Sequence, residues 1–320
     1  MKRNIIDELI KWKTEDNGKV ILLTGLKGVG KTYLAYDFAK SFFDSISYIN
    51  LEHERDFLNL FNCISPSLLK ERLINYLRLN ENVPHNLRIL ILDEISDCTN
   101  AVEKLLACNV SDIFRYIILI SSKPVVIKSE NIRQLAVYPL SFDEFLIASG
   151  NDWYIDTIVT HFNMDKKIPE IVHKELLELN QLYLRIGGMP GVINEYLNLC
   201  STINVSEIHK LFTSLYRDNI SRIATESEAF KMLQVYDSLA VQLAKENKKF
   251  QYKLIRKGTT HAMYKDAIQK LCDDYYVIRC SRVSNQQVQN ISNTFTTNDW
   301  QSIESNTHFK LYLPDTGVLY

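Results

Sequence analysis

Residues 25–32 read GLKGVGKT, and the residues on either side of them leave few folds open. KVILLTG (Lys19 to Gly25) is a short continuous apolar run, the pattern of a strand buried on both faces of a parallel sheet. In KTYLAYDFAKSFF, residues Leu34, Ala35, Phe38, Ala39 and Phe42 recur at helical spacing. Buried strand, glycine-rich turn and amphipathic helix in immediate succession predict an α/β fold with a parallel sheet and flanking helices. The turn also fits G-x-x-x-x-G-K-[ST] at every fixed position, the pattern of a loop that cradles phosphates. Gly25 and Gly30 let the backbone curl with its N–H groups inward, and the helix N-terminus adds the positive end of its dipole. Gly25, Lys27, Gly28, Val29, Gly30, Lys31, Thr32 and Tyr33 are therefore the candidate nucleotide-binding segment, of the kind a P-loop NTPase carries. Lys31 is expected to reach the β- and γ-phosphates, and the Thr32 hydroxyl to ligate Mg²⁺. A structural glycine turn is the alternative, and the flanking strand and helix speak against it.

A phosphate-transferring site also needs a carboxylate. LRILILDEIS supplies one: Leu87 to Leu92 predict a second buried strand, with Asp93 and Glu94 at its carboxyl end, where open α/β sheets bind ligands. Asp93 is placed to hold Mg²⁺, usually through a water, and Glu94 to orient or deprotonate the attacking water. The plainer reading of the DE pair is a polar strand end. SISYINLE (Ser45 to Glu52) and RYIILISS (Arg115 to Ser122) predict two further strands, the latter bringing Ser121 or Ser122 to the γ-phosphate as a polar sensor or merely as turn residues. In VYPLSFDEFL, Pro139 ends an extended stretch and SFDE reads as a capping box that starts a helix.

Beyond that point helical spacing dominates. IPEIVHKELLELNQLYLRI and GVINEYLNL are helical, with GGMPG (Gly187 to Gly191) between them; a helix over about Val205 to Arg222 and ESEAFKMLQVYDSLAVQLAKEN follow. KKFQYKLIRKG and MYKDAIQKLCDDYYVIRCSRV then read as strand or turn, helix and strand, the order of a winged helix-turn-helix.

The chain of 320 residues is long enough for about two domains, and its 46% apolar content supplies their cores. Its net charge of −1 excludes a bulk polycation that would hold nucleic acid through charge alone. From Lys245 to Arg282, however, ten Lys or Arg stand against four Asp or Glu. Lys248, Lys249, Lys253, Arg256 and Lys257 interleave there with Phe250 and Tyr252, as in a phosphate-contacting wing or a solvated charged surface; DNA is the candidate partner. Six scattered cysteines without a C-x-x-C pair predict reduced thiols in a cytoplasmic protein, and no apolar run approaches the length a membrane span needs.

Several stretches together resemble the prokaryotic AAA/STAND-related P-loop ATPases, in which the nucleotide domain precedes a winged helix and a restriction-endonuclease-like domain of unassigned activity. The matching stretches are ILLTGLKGVGKT, YINLE, ILDE, PLSFDEFL, GGMP, AKENKKFQY, DAIQKL and HFKLYLPDTGVLY, in the family's order. The resemblance implies an AAA-type ATPase core over residues 1–145, an α-helical lid over 146–222, a winged-helix domain over 223–285, and in 286–320 the start of a C-terminal domain largely missing here. It also implies that Pro190 lies against the adenine, with Gly187 and Gly188 allowing close backbone approach. Two positions depart from the family: Lys27 replaces a loop arginine, and IRQ stands where a Gly-Arg pair precedes the PLS motif. Catalysis at subunit interfaces, with an arginine from a homo-oligomeric neighbour, is implied too, and Arg115, Arg133 and Arg185 are candidates. Two functions follow: an ATP hydrolase that remodels a partner or DNA, and a nucleotide-dependent switch with negligible turnover. A DNA-binding regulatory module is a third, weaker one.

Overall fold

The computed structural model describes residues 1–15, 18–62, 65–80, 82–129, 131–199, 205–223, 225–283 and 308–319. Contacts divide the chain into two compact units, Met1–Tyr183 with Gly188–Leu197, and Leu184–Gly187 with Asn198–Tyr320. The expected C-terminal segment 286–320 lies for the most part outside the described residues.

The first unit is built on a five-stranded, all-parallel sheet of β1 (Val20–Thr24), β2 (Ser45–Asn50), β3 (Arg88–Asp93), β4 (Tyr116–Ser121) and β5 (Ile132–Ala136), in the order β2-β3-β4-β1-β5. Every residue of β1, β3 and β4 is buried, as their unbroken apolar runs require. Phe38 of α2 (Lys31–Phe42) is buried against Trp12 of α1 (Ile6–Glu15), their ring centroids 6.2 Å apart. A core of Leu22, Leu90, Leu92 and Leu119 packs with Leu69 and Leu73 of α3 (Pro66–Leu77) and Val102 and Leu105 of α4 (Thr99–Ala107). Every described helix is too short or too polar to cross a membrane.

Besides α3, α4 and the helix Trp153–Asn163, which the sequence reading did not assign, it missed β5 and α1 for reasons their residues show. Edge strand β5 reads IRQLA, whose Arg133 and Gln134 interrupt any apolar run because a half-solvated strand needs none. α1 carries charge on most of its surface and buries chiefly Leu9 and Trp12, and the Trp12 indole donates to the Lys19 carbonyl at 2.6 Å.

The first unit continues through α5 (Phe142–Ala148), α6 (Trp153–Asn163), most of α7 (Glu170–Ile186) and most of α8 (Pro190–Leu199). Only Gly187–Met189 of the GGMPG break is non-helical, because Pro190 opens α8, where a missing N–H costs nothing. In the second unit, α9 (Val205–Ile223) and α10 (Glu226–Leu243) are followed by a 3-10 turn (Tyr252–Leu254), α11 (His261–Asp273) and an antiparallel pair, β6 (Ile278–Ser281) with β7 (Phe309–Tyr312). Phe250 N donates to Phe309 O at 3.0 Å and the two rings stack, so the segment before the 3-10 turn lies along β7. Met232, Val235, Leu239, Ile268, Leu271 and Leu311 are among the buried residues of this unit.

Candidate functional site at the carboxyl edge of the sheet

A parallel sheet delivers every strand's carboxyl end to one edge, so the loops after β1, β3 and β4 meet there. Gly25, after β1, has no room for a side chain: a Cβ would overlap the Val137 carbonyl oxygen. Gly30 is the N-cap of α2 at φ 91°, a left-handed turn that aims the first helical N–H groups back over the loop. Val29 is fully buried and holds the loop down, while Lys27 and Gly28 are exposed at its apex. Thr32 and Tyr33 are exposed on the first turn of α2.

Lys31 is only 5% exposed, and its ammonium donates to the carbonyls of Gly25 (2.8 Å) and Leu26 (3.1 Å). Burial pushes its pKa down to about 8, with Glu94 and Asp93 opposing that shift and Lys27 adding to it.

The strand-end carboxylate arrives from 61 residues away. Thr32 Oγ1 donates to Asp93 Oδ2 at 2.7 Å, so the two predicted metal-holding side chains are in contact. Glu94 N donates to Asp93 Oδ1 at 2.8 Å, and Glu94 itself sits at φ 51°, ψ 52°. A non-glycine residue there stores of the order of 1–3 kcal/mol of strain, which the buried Asp93 and Ile95 on either side hold in place. A hydroxyl and a carboxylate are hard oxygen donors, and this pair fits Mg²⁺. The two candidate sensors separate cleanly. Ser121 Oγ, at the end of β4, donates to Lys123 O at 2.6 Å and fixes the turn that follows, whereas Ser122 Oγ donates to Glu94 Oε1 at 2.7 Å.

Four participants were not foreseen from the sequence in these parts. Tyr48 of β2 donates to Asp93 Oδ2 at 2.9 Å. Arg3 donates to Glu144 Oε2 (3.2 Å), to the Val29 carbonyl (3.0 Å) and to the Tyr138 carbonyl (2.6 Å), tying the chain's third residue to the phosphate loop and to α5. Glu144, expected only as a capping residue, accepts from Ser141 N at 3.1 Å and also from Asn4 N at 2.6 Å. The fourth, Asn194 of α8, joins Arg3, Gly30, Tyr33, Leu140 and Pro190 around a cavity of about 340 Å³ beside the loop. Pro190 Cγ lies 3.5 Å from where a Gly30 Cβ would stand. Gly188 is pressed against Leu140, whose N–H donates to the Gly188 carbonyl at 2.7 Å.

Of the candidate arginines, Arg115 and Arg133 lie away from these loops. Arg115 precedes β4, at the amino edge of the sheet, roughly 20 Å of strand from the loops. Arg133 pairs with Glu8 and, at 3.8 Å, with Glu15. Arg185 is an exposed residue of the second unit.

Comparison with known proteins agrees with this geometry. Residues 17–146 match the family model of the AAA domain, and residues 177–320 match a domain of unknown function, DUF8612, which names no activity for the C-terminal part. No curated protein matches the chain. Among solved structures, the chain is similar over 99% of its length to 94% of a Walker-type ATPase of Pyrococcus abyssi, at TM-score 0.54 and 13% identity. It is also similar to the RuvB Holliday junction branch migration motor of Thermotoga maritima (TM-score 0.40, 14% identity, 92% of this chain and 96% of that one). A STAND protein with a tetratricopeptide repeat sensor from Pyrococcus horikoshii aligns at TM-score 0.37 and 15% identity, over 87% of this chain and 39% of that one. The first of these likenesses is one of fold. Over residues 17–146 the chain is thus similar to the AAA domain, carried on the α/β P-loop ATPase fold that its own parallel sheet and glycine loop display.

Proposed function

We propose that this chain is a Mg²⁺-dependent ATPase whose nucleotide state is passed on to its helical lid and to a winged helix. The observation that carries this reading is the 2.7 Å contact between Thr32 and Asp93, which joins the phosphate loop to the strand-end carboxylate. In this reading the Lys31 ammonium leaves the Gly25 and Leu26 carbonyls for the β- and γ-phosphate oxygens. Thr32 and, through water, Asp93 would hold Mg²⁺, which neutralises charge developing on those phosphates. Glu94 orients the attacking water and accepts its proton, and Ser122 fixes the Glu94 carboxylate. The adenine takes the cavity between Pro190, Tyr33 and Arg3. The winged helix would consist of α10, the 3-10 turn, α11 and the β6-β7 pair, with the exposed Lys248, Lys253, Arg256 and Lys257 as its candidate DNA contacts.

Replacing Glu94 with Gln tests the enzyme reading in a coupled phosphate-release assay. Hydrolysis is expected to fall at least about a hundredfold while nucleotide binding persists. A wild-type rate no faster than that of the variant overturns it. The switch reading, with negligible turnover, draws on one observation: Arg133, one of the three candidate arginines, is paired with Glu8 and Glu15 of its own chain. ADP retained through purification, with no measurable phosphate release, would decide for the switch.

A further inference from the structure

Asp93 is gripped by three donors that come from three different parts of the first unit. Thr32 Oγ1 (2.7 Å) and Tyr48 OH (2.9 Å) both donate to Oδ2, and the Glu94 N–H donates to Oδ1 at 2.8 Å. An ionised carboxylate offers about four lone-pair sites. Both sites on Oδ2 are therefore filled, and the one left open is on Oδ1.

The strand register explains how Tyr48 gets there. β2 and β3 run parallel with Asn50 opposite Asp93, and Tyr48, two residues earlier, lies on the same face as Asn50. Its long side chain reaches along the strand to the carboxylate. Tyr36 of α2 packs edge-on against the Tyr48 ring, centroids 6.4 Å apart, and limits its swing.

The terminal torsion of an aspartate is broad and roughly two-fold, so without such donors the carboxylate turns readily. Thr32 on Oδ2 and the Glu94 N–H on Oδ1 already restrain that torsion, and Tyr48 adds the second bond to Oδ2.

We propose that Tyr48 is a positioning residue for the Mg²⁺ that accompanies the nucleotide: by filling the second lone pair of Asp93 Oδ2, it leaves a single Oδ1 lone pair available to a metal-bound water. The inference rests on the nucleotide reading above, and it assigns to Tyr48 a part in metal binding rather than in contact with the nucleotide. Loss of the hydroxyl weakens only the metal-bearing complex, since no phosphate depends on it.

The test titrates a fluorescent ATP analogue into the full chain, once with Mg²⁺ and once with EDTA, for wild type, Tyr48→Phe and Tyr48→Leu. Tyr48→Phe is expected to weaken binding about tenfold with Mg²⁺ and by less than about twofold in EDTA, the scale of losing an outer partner of a metal ligand. Tyr48→Leu, which also deletes the ring, is expected to give the same Mg²⁺-specific loss. An equal loss in both conditions makes Tyr48 merely structural and overturns the inference, as does no loss in either. A wild type that fails to bind the analogue instead overturns the nucleotide reading on which the inference stands, and one that binds it equally in Mg²⁺ and EDTA overturns the Mg²⁺ dependence in that reading and the inference with it.

Discussion

Ser122 donates a hydrogen bond to Glu94 at 2.7 Å, across 28 residues of sequence, from the end of one buried strand to the turn after its neighbour. The carboxylate that would align water is thereby held by a hydroxyl of the adjacent strand. Ser122→Ala removes that hold without touching the phosphate loop. Turnover is expected to fall about tenfold, or about 1.4 kcal/mol of barrier, with nucleotide affinity unchanged. Steady-state phosphate release beside a binding titration checks both halves. Ser121→Ala is expected to act differently, loosening the Lys123 turn and lowering stability before it touches rate.

Lys31 gives a pH dependence with opposite signs for binding and for stability. Its folded pKa of about 8 lies below the unfolded value of 10.5. Between those values the unfolded chain holds the extra proton, so stability rises with pH from about 8 towards 10.5, and the cost of the buried ammonium is fully present below 8. In the proposed reading nucleotide binding needs the charged form, so affinity is expected to fall by up to about tenfold per pH unit above the folded pKa. In Lys31→Met both slopes vanish relative to wild type. Fluorescent ADP titrations and thermal unfolding, each run from neutral pH into the alkaline range, measure the two curves.

How much of this was legible beforehand depended on burial. β1, β3 and β4 are covered on both faces and wrote themselves as unbroken apolar runs, which placed Gly25 to Thr32 and Asp93 at one edge. β5 is an edge strand, and its Arg133 and Gln134 concealed it. The separation of Ser121 from Ser122 needed coordinates, because adjacent strand residues face opposite ways and either could have pointed to the site. Tyr48 looked like any aromatic in a strand, and its aim at Asp93 follows from the β2-β3 register, which no local pattern encodes. Arg3 had no signal at all, since its carboxylate partner lies 141 residues away.

That Arg3–Glu144 pair carries the next prediction. Both side chains are under a tenth exposed, at 8% and 6%, and Arg3 also supports the Val29 carbonyl of the phosphate loop. Removing either partner leaves a buried charge without its counter-ion, which costs about 3 kcal/mol. Arg3→Ala and Glu144→Ala are each expected to show that loss in chemical denaturation, and the double variant less than their sum. Arg3→Lys does not restore the wild type, because an ammonium cannot serve Glu144, Val29 and Tyr138 from one planar fork. Nucleotide affinity is expected to fall with Arg3→Ala, as the loop loses its support from below.

Two glycines with nearly the same backbone separate conformation from space. Gly187 has φ 78° and Gly258 has φ 82°, so alanine is strained at both. Around Gly258 nothing lies within 4 Å of a built Cβ, and Gly258→Ala is expected to cost about 1 kcal/mol, the left-handed penalty alone. At Gly187 the same Cβ would overlap Asp315 Oδ1 and stand 2.8 Å from Gly317 N. The neighbours cannot give way. Asp315 is buried and holds the Gly317 N–H at 2.9 Å, and a Cβ on Gly317 would itself lie 2.5 Å from both His209 Nε2 and the Ile186 carbonyl, which are bonded to each other at 2.8 Å. Gly187→Ala is therefore expected to cost about 3 kcal/mol or more, the left-handed penalty plus overpacking. Denaturant midpoints of the two variants measure the difference. Adding Asp315→Ala to Gly187→Ala removes the nearer obstacle but leaves the Gly317 backbone in place, so a partial recovery is expected. Full recovery would mean that the Asp315 carboxylate alone, and not the whole turn through Gly317, is what Gly187 makes room for.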